Sequence, residues 1–193
     1  MEATFGQRLC AYFIDFIIIS ILLTLVTYSM DFAKRNEIYD EMLNYYSEYD
    51  PTNLEQTEKL LDLQYQYSKE SIPTTAISLI ITIGYFVVFQ YLNNGQSIGK
   101  KLLKIRIVGK DNSKVNIMQI FIRSIFIYQI ILSITDLIII YTLNKTDYLN
   151  IYGILTWINS IFIIISALFI LYRKDKRGLH DFMAKTYVVS ERG

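Results

Sequence analysis

The chain has 193 residues, a hydrophobic content of 52% and a formal net charge of +1 at pH 7. Its apolar residues are gathered into four long blocks, which excludes an ordinary soluble domain and favours one membrane domain over residues 1–193. The single cysteine, Cys10, excludes an internal disulfide framework, and we expect it to be an inert packing residue.

The four apolar blocks cover residues 9–30, 72–92, 117–143 and 151–172. Each has at least about 20 residues, enough to cross a hydrocarbon core of roughly 30 Å as a helix. Backbone groups in lipid must satisfy their own hydrogen bonds, so helices are expected despite the many isoleucines. The sequence predicts an all-α membrane protein with four transmembrane helices. No small-residue cleavage site follows the first block, so no cleavable signal peptide is expected.

The first block contains one charged residue, Asp15, and Arg8 stands just before it. Residues seven apart lie nearly on one line down a helix, so Arg8 and Asp15 share a face. A carboxylate in lipid is costly and needs a partner, a proton or a water-filled cavity. Asp15 is therefore the first candidate for an ion- or proton-binding group.

The connection over residues 31–71 is acidic, with ten Asp and Glu against four Lys and Arg. Thr52 and Glu55 have the spacing of a capping box, with Thr52 as the N-cap. We expect two short helices, broken at Asp50 and Pro51, that lie over the outer membrane face. The connection is interpreted as a solvated acidic cap, with attraction of cations or a basic partner as the alternative.

Basic residues follow the second block, and Lys100, Lys101 and Lys104 are expected to hold anionic lipid. Nucleic acid is not expected, because membrane topology alone calls for a positive loop. The stretch from Gly95 to Lys100 lacks the spacing of a Walker A motif, which excludes nucleotide binding. Residues 102–108 and 185–189 have strand character, and their pairing would join this loop to the tail in a small sheet.

Lysine and arginine counts predict the orientation of the chain in the membrane. Outside the spans, thirteen of them lie on the side of the amino terminus and five on the opposite side. The positive-inside rule therefore predicts that both termini are cytoplasmic and that residues 31–71 are extracytoplasmic.

Two further charges lie within the third block. Arg123 is six residues past the start of its block, as Asp15 is in the first, so both lie at a depth of about 9 Å. Equal depth and opposite charge predict an Asp15–Arg123 ion pair. Arg8 is expected either to contact this pair through water or to extend its side chain to the lipid headgroups. Asp136 is expected near the outer boundary, surrounded by Asn159, Thr156 and the acidic connection.

These charges have two interpretations that the residues alone do not separate. Asp15 and Arg123 could be a permanent ion pair that fixes helix register, or Asp15 could exchange a proton or cation with Arg123 tuning it. His180 and Asp181 are expected to be structural, since no nucleophile signature or further metal ligand accompanies them. The sequence therefore predicts no enzyme, no cofactor and no metal site.

Four motifs in order resemble the RDD family of prokaryotic integral membrane proteins. They are Gln7-Arg8-Leu9-x-Ala11-Tyr12-x-Ile14-Asp15, Gly95-Gln96-Ser97-Ile98-Gly99-Lys100-x-Leu102, Arg123, and Arg177-Gly178-Leu179-His180-Asp181. The family is named for an arginine at the start of its first helix and two aspartates. Arg8 and Asp15 match the first two, and either Asp181, in its Leu-His-Asp element, or Asp136 is the third.

The resemblance implies a multi-pass protein of the prokaryotic cell membrane. It suggests transport of a small ligand, with sodium–proton exchange proposed for some members, or regulation of a neighbouring membrane protein. The leading expectation is a transporter of a small ligand or cation, coupled to protons, with Asp15 as the binding group. Arg8 and Arg123 would be its electrostatic partners, and His180 and Asp181 its cytoplasmic mouth.

Four spans make a thin wall for a pathway, so such a transporter is expected to form a homo-oligomer. The alternative is an accessory or regulatory subunit that binds another membrane protein through the acidic connection or the basic loop.

Overall fold

Helices make up most of the structure, a computed structural model that describes residues 1–28, 30, 32–47 and 49–191. The helices are α1 (Phe5–Thr27), α2 (Ala33–Ser47), α3 (Leu54–Glu70), α4 (Ile72–Ile83), α5 (Gln90–Leu92), α6 (Ile98–Leu102), α7 (Ile117–Ile127), α8 (Ile130–Thr142), α9 (Lys145–Tyr172) and α10 (Leu179–Ala184). The strands are β1 (Ile105–Val108) and β2 (Tyr187–Ser190). Ser29 of the predicted first span, Asp31 and Glu48 of the acidic connection, and Arg192 of the basic tail lie outside the described residues.

Three elements are long and apolar enough to cross a membrane: α1, Lys145–Tyr172, and the continuous stretch Ile72–Leu92 with its π-helical turn Gly84–Phe89. A bent pair, α7 and α8, makes a fourth if it counts as one span. The expectation of a mostly helical protein with membrane-length helices is confirmed. The last of these helices begins six residues before the predicted span, because the Asn144 side chain accepts a hydrogen bond from the Asp147 backbone N–H and caps it there.

The single helix predicted over residues 117–143 is wrong. The chain bends by 69° between α7 and α8, where Gln129 adopts the left-handed conformation with φ 56°. The ring of Tyr128 stacks on Phe86, with centroids 3.5 Å apart, and on Tyr12 at 6.2 Å. Neither Pro nor Gly marks the break, so hydropathy shows an uninterrupted block.

The acidic connection forms two helices, α2 and α3, as expected. The two helices pack on each other. The predicted N-cap at Thr52 is wrong by one residue. The side chain of Asn53 accepts from the backbone N–H groups of Glu55 and Gln56, whereas Thr52 donates to the Asp50 carboxylate. We call the end of the molecule that carries α2 and α3 the hairpin end.

The predicted sheet is confirmed with shorter strands. β1 and β2 are antiparallel, with Ile105 opposite Ser190 and Val108 opposite Tyr187. Glu2 adds a single bridge to Val189, so the amino terminus also joins the sheet. The residues assigned to the start of the first strand form α6 and a turn instead. We call this end of the molecule the sheet end.

An apolar core holds the sheet end together. Buried side chains from the sheet, Ile105, Ile107 and Val188, pack with Ala11 of α1 and Ile120 of α7. This core fixes the first residues of α1 and α7 relative to the two strands, and it thereby positions the polar side chains described below.

Gly99 allows α6 to lie directly against α1. A Cβ atom at this position would overlap the carbonyl oxygen of Ala11 and lie 2.9 Å from the carboxylate carbon of Asp15. Real Cβ atoms essentially never come this close to other heavy atoms, so any larger residue has to separate the two helices.

We predict that Gly99→Ala lowers the free energy of unfolding by about 2 kcal/mol or more, because the overlap involves backbone. Gly153→Ala is the matched control, since a Cβ there meets no atom within 4 Å. Thermal denaturation of the full chain in mild detergent measures both. Equal midpoints for Gly99→Ala and Gly153→Ala would contradict the close packing of α6 on α1.

Candidate functional site

Buried polar side chains are concentrated at the sheet end. The set includes Asp15, Gln90, Ser97, Lys100, Arg123, Ser166, His180, Asp181 and Thr186, all of which are buried. They come from α1, α5, α6, α7, α9 and α10 and from the residues next to these elements. Since buried polar groups are costly unless paired, their hydrogen bonds decide what the site can do.

Asp15 is fully buried and its carboxylate is surrounded by donors. Oδ1 accepts from the Tyr85 hydroxyl at 2.6 Å and from the Gly99 backbone N–H at 2.7 Å. Oδ2 accepts from the Ser97 hydroxyl at 2.5 Å, and Lys100 Nζ lies 3.9 Å away. The carboxylate therefore fastens the loop before α6 to the middle of α1.

Asp181 is the centre of a second charged group. Its Oδ2 accepts from Arg8 Nη1 at 2.8 Å and from the Gly178 backbone N–H at 3.1 Å, and its Oδ1 accepts from Arg123 Nη1. Burial by itself would raise the pKa of Asp181, but the charges of Arg123 and Arg8 outweigh burial and hold that pKa well below its ordinary value. Asp181 is therefore an ionised bridge between two helices.

The predicted Asp15–Arg123 pair is wrong, because Arg123 binds Asp181. The helix α10 packs against α7 and brings the Asp181 carboxylate to Arg123. The expectation that Arg8 joins through water or reaches the headgroups is also wrong, since Arg8 folds onto Asp181. Asp15 and Arg123 belong to two different groups.

Asp136 lies apart from these groups. Its Oδ1 accepts a hydrogen bond from the Tyr148 hydroxyl at 2.8 Å, and it lines a cavity together with Arg35 of α2 and Tyr67 of α3. Of the two aspartates that could complete the sequence pattern, Asp181 is the one that binds the arginines.

His180 is buried and neutral. Its Nδ1 lies 2.6 Å from the Ser166 hydroxyl, and its Nε2 lies 3.5 Å from Asp181. Burial, reinforced by the charges of Arg123 and Arg8, outweighs the attraction of Asp181 and lowers the pKa of His180 to about 3. A histidine with this pKa carries no charge at neutral pH, and it links α9 to α10 through Ser166.

Lys100 does not reach lipid headgroups, which corrects that part of the predicted lipid site. Its Nζ donates to Gln90 Oε1 at 2.9 Å and to the Ser97 hydroxyl at 3.2 Å. Burial lowers the pKa of Lys100 to about 8 despite the nearby Asp15. Lys101 and Lys104 are exposed.

Several residues of the site were absent from the sequence-based predictions. Ser97 could have been found, since it precedes the short helix α6 and caps it by accepting from the Lys100 backbone N–H. Gln90 is a polar residue inside an apolar block, which indicates a site residue less strongly than the capping position of Ser97 does. Tyr85 and Ser166 gave none, because a hydroxyl within an apolar helix is common.

A cavity of about 230 Å³ adjoins both groups. Its polar lining comprises Arg8, Lys100, Arg123, Ser166 and His180, and its apolar lining comprises Phe5, Leu9, Tyr12, Ile105, Ile127, Tyr128, Ile163, Ala167, Ile170 and Val188. Within the described ranges, no three His, Cys, Asp or Glu side chains are grouped to hold a metal ion. The cavity can accept a small organic molecule, with cations on part of its wall.

The model of the RDD family matches residues 2–185, nearly the whole chain. The chain belongs to the RDD family. Together with its apolar helices, this membership makes it a membrane protein. In this RDD protein Arg8 contacts Asp181, and Asp15 and Asp181 have separate sets of hydrogen-bond donors at the sheet end.

A curated relative of this RDD protein is the uncharacterized protein YckC of Bacillus subtilis (strain 168). The two are 31% identical over 112 residues, which is 58% of this chain and 58% of the relative. No solved structure matches the chain.

We predict that Asp181→Asn lowers the free energy of unfolding by roughly 3–5 kcal/mol, because it leaves the buried guanidinium groups of Arg8 and Arg123 uncompensated. Asp175→Asn is the control, since Asp175 pairs with Arg173 at the surface, where an ion pair contributes about 1 kcal/mol or less. Chemical denaturation in detergent measures the difference. Equal losses would show that the Asp181 bridge contributes no more than a surface pair.

We predict that acidification from pH 6.5 to pH 5 destabilises the protein by about 1–2 kcal/mol through His180. The pKa of His180 is about 3 in the fold, against an ordinary value of 6.5, so the unfolded chain takes up a proton in this window and the folded chain does not. Stability is unaffected by His180 above this window. His180 is the single histidine, so His180→Gln should remove the slope, and an unchanged slope would contradict a neutral buried imidazole.

Proposed function

We propose that this RDD protein is a membrane carrier of a small anionic ligand, which binds in the cavity beside Arg8 and Arg123. The observation that carries this proposal is the charge of the cavity lining. Arg8, Arg123 and Lys100 contribute three positive charges, and the adjoining carboxylates of Asp15 and Asp181 contribute two negative ones. With His180 neutral, the site has an excess of one positive charge and favours an anion.

The contacts of Asp15 argue against the cation site expected from the sequence. Its two oxygens accept from Ser97, Tyr85 and Gly99, and Lys100 stands beside them. A metal cation at this carboxylate would have to displace these donors and approach an ammonium group. Asp15 is therefore proposed to be a structural residue of the carrier, and the ligand to bind elsewhere.

A carrier is favoured over an enzyme, even though the Ser166 hydroxyl contacts His180 and His180 lies beside Asp181. Burial leaves His180 with a pKa of about 3, which makes it a poor general base for the Ser166 hydroxyl at neutral pH. The Asp181 carboxylate is occupied by the two arginines and does not orient the imidazole as a catalytic triad requires.

The placement in the cell follows from the distribution of basic residues. We propose that the protein lies in the prokaryotic cell membrane with both termini and the sheet end cytoplasmic, so that the hairpin end is extracytoplasmic. Lys101 and Lys104 are then placed to contact anionic headgroups. So few helices enclose a transport pathway incompletely, and the further subunits of a homo-oligomer would complete the enclosure.

Uptake of radiolabelled butanesulfonate into proteoliposomes tests the carrier proposal. A sulfonate stays ionised and crosses bare lipid slowly, so saturable uptake must come from the protein. We expect Ala167→Phe, which fills the cavity, and Arg8→Lys, which removes a donor but keeps the charge, to reduce uptake at least tenfold. Lys110→Gln, an exposed cation of the basic loop, should behave as wild type.

Two outcomes would contradict this proposal. One is uptake no faster than in protein-free liposomes or unaffected by Ala167→Phe. The other is proton movement driven by a sodium gradient and lost in Asp15→Asn, which would restore the cation site at Asp15.

An accessory subunit is the second candidate function, and α2 provides the observation that favours it. Tyr39, Leu43 and Tyr46 share one face of this helix and are each about half exposed. Such a stripe outside the predicted spans can bind another membrane protein. We then expect a stoichiometric partner to co-purify with wild type in mild detergent and to be lost with Leu43→Glu. A homogeneous wild-type preparation would contradict this candidate.

A further inference from the structure

Arg8 has a hydrogen-bonding capacity that the fold does not use. Its Nη1 donates to Asp181 at 2.8 Å and its Nε to the carbonyl oxygen of Ala3 at 3.4 Å. Its Nη2 is buried and has no hydrogen-bond partner among the described residues, while the side chain as a whole is only 9% exposed. A buried guanidinium nitrogen without an acceptor is costly, and Arg8 lines the cavity from which an acceptor could approach.

The neighbouring carboxylates cannot supply that acceptor. Both oxygens of Asp181 already accept from Arg8, Arg123 and the Gly178 backbone N–H. Both oxygens of Asp15 are occupied by donors at the start of α6. The missing group must therefore come from outside the chain. The single excess positive charge of the site favours an oxygen acceptor that carries one negative charge.

Most of the cavity wall is apolar, and this apolar part extends to the outside of the helices. Leu9 and Tyr12 of α1 both line the cavity, and each is 40% exposed. Ile163 and Ile170 contribute further apolar surface from α9. Since the outside of α1 is a membrane-length apolar surface, the cavity can receive a hydrocarbon chain from the bilayer.

We propose that the cavity binds a monoanionic amphiphile, with its anionic head on Arg8 Nη2 and its acyl chain along Leu9, Ile163 and Ile170. The head is a carboxylate or a phosphodiester, the chemistry shared by fatty acids and by singly charged phospholipids. This inference rests on the proposed anionic ligand of the same cavity and specifies its class. Each methylene buried in the cavity should strengthen binding by roughly fourfold.

Calorimetric titration of the full chain in phosphatidylcholine nanodiscs tests this inference, with butanesulfonate and octanesulfonate as probes. We expect octanesulfonate to bind at least tenfold more tightly than butanesulfonate, and 1-octanol, which lacks the charge, not to compete. Arg8→Lys retains a cation for Asp181 but loses Nη2, and Ala167→Phe fills the cavity without changing a charge. Both should weaken octanesulfonate binding at least tenfold, whereas Lys110→Gln should not.

Competition with octanesulfonate distinguishes the two sources of the head group. Displacement by palmitate alone indicates a fatty acid, displacement by phosphatidylglycerol alone indicates a phospholipid, and displacement by both indicates a site that reads only the shared head and chain. Displacement by neither would overturn the proposal. Thermal midpoints of the variants, measured in the same nanodiscs, establish that each is folded.

The outcomes separate this inference from the proposed function. If butanesulfonate binds as tightly as octanesulfonate and both depend on Arg8, the proposed anion site is supported and the proposal of an amphiphilic ligand is wrong. If neither probe binds, or Ala167→Phe binds both as wild type does, the cavity is not a ligand site and both proposals fail.

Discussion

The ionised carboxylate of Asp181 is the contact on which the sheet end depends. It compensates two buried guanidinium groups, Arg8 of α1 and Arg123 of α7, and the backbone of Gly178 and the side chain of Thr186 fill its remaining acceptor sites. Removing water from so many charges is unfavourable in itself, and only their mutual compensation makes the arrangement stable. The three elements involved therefore cannot move independently without exposing a charge to an apolar environment.

Asp15 likewise holds separate segments together, although its hydrogen-bond donors are neutral. Its carboxylate accepts from a side chain of the second span, Tyr85, and from the start of α6, at the N-cap residue Ser97 and at Gly99. Each aspartate thus gathers donors from segments far away in the chain. Together they give the sheet end a dense polar interior, in which Arg8 Nη2 is buried without an acceptor while the Arg8 side chain lines a cavity.

The sequence predicted the features that depend on one segment at a time. Long apolar blocks predicted the membrane-length helices, and strand character in the basic loop and in the tail predicted strands that the structure pairs over residues 105–108 and 187–190. The importance of Arg8 and Asp15 followed from the cost of charge in lipid. Their partners did not follow, because depth along two separate helices says nothing about a third segment such as α10 that folds back between them.

Two other errors have the same origin. The bend at Gln129 arises from stacking of Tyr128 on Phe86 and Tyr12, contacts that bring together three distant parts of the chain. Lys100 belongs to a basic loop, and this composition predicted a lipid contact. Gly99 beside it allows α6 to pack closely against α1, which buries Lys100. In both cases tertiary packing overrides a correct local interpretation.

The order in which the chain is made gives the Asp181 bridge a further meaning. Arg8 and Asp181 are separated by 173 positions, so during synthesis the first helix enters the membrane long before its counter-charge exists. Arg123 likewise remains uncompensated until α10 emerges. The nascent protein cannot complete this interior until α10 has been made, and a chain cut short before α10 retains two uncompensated guanidinium groups.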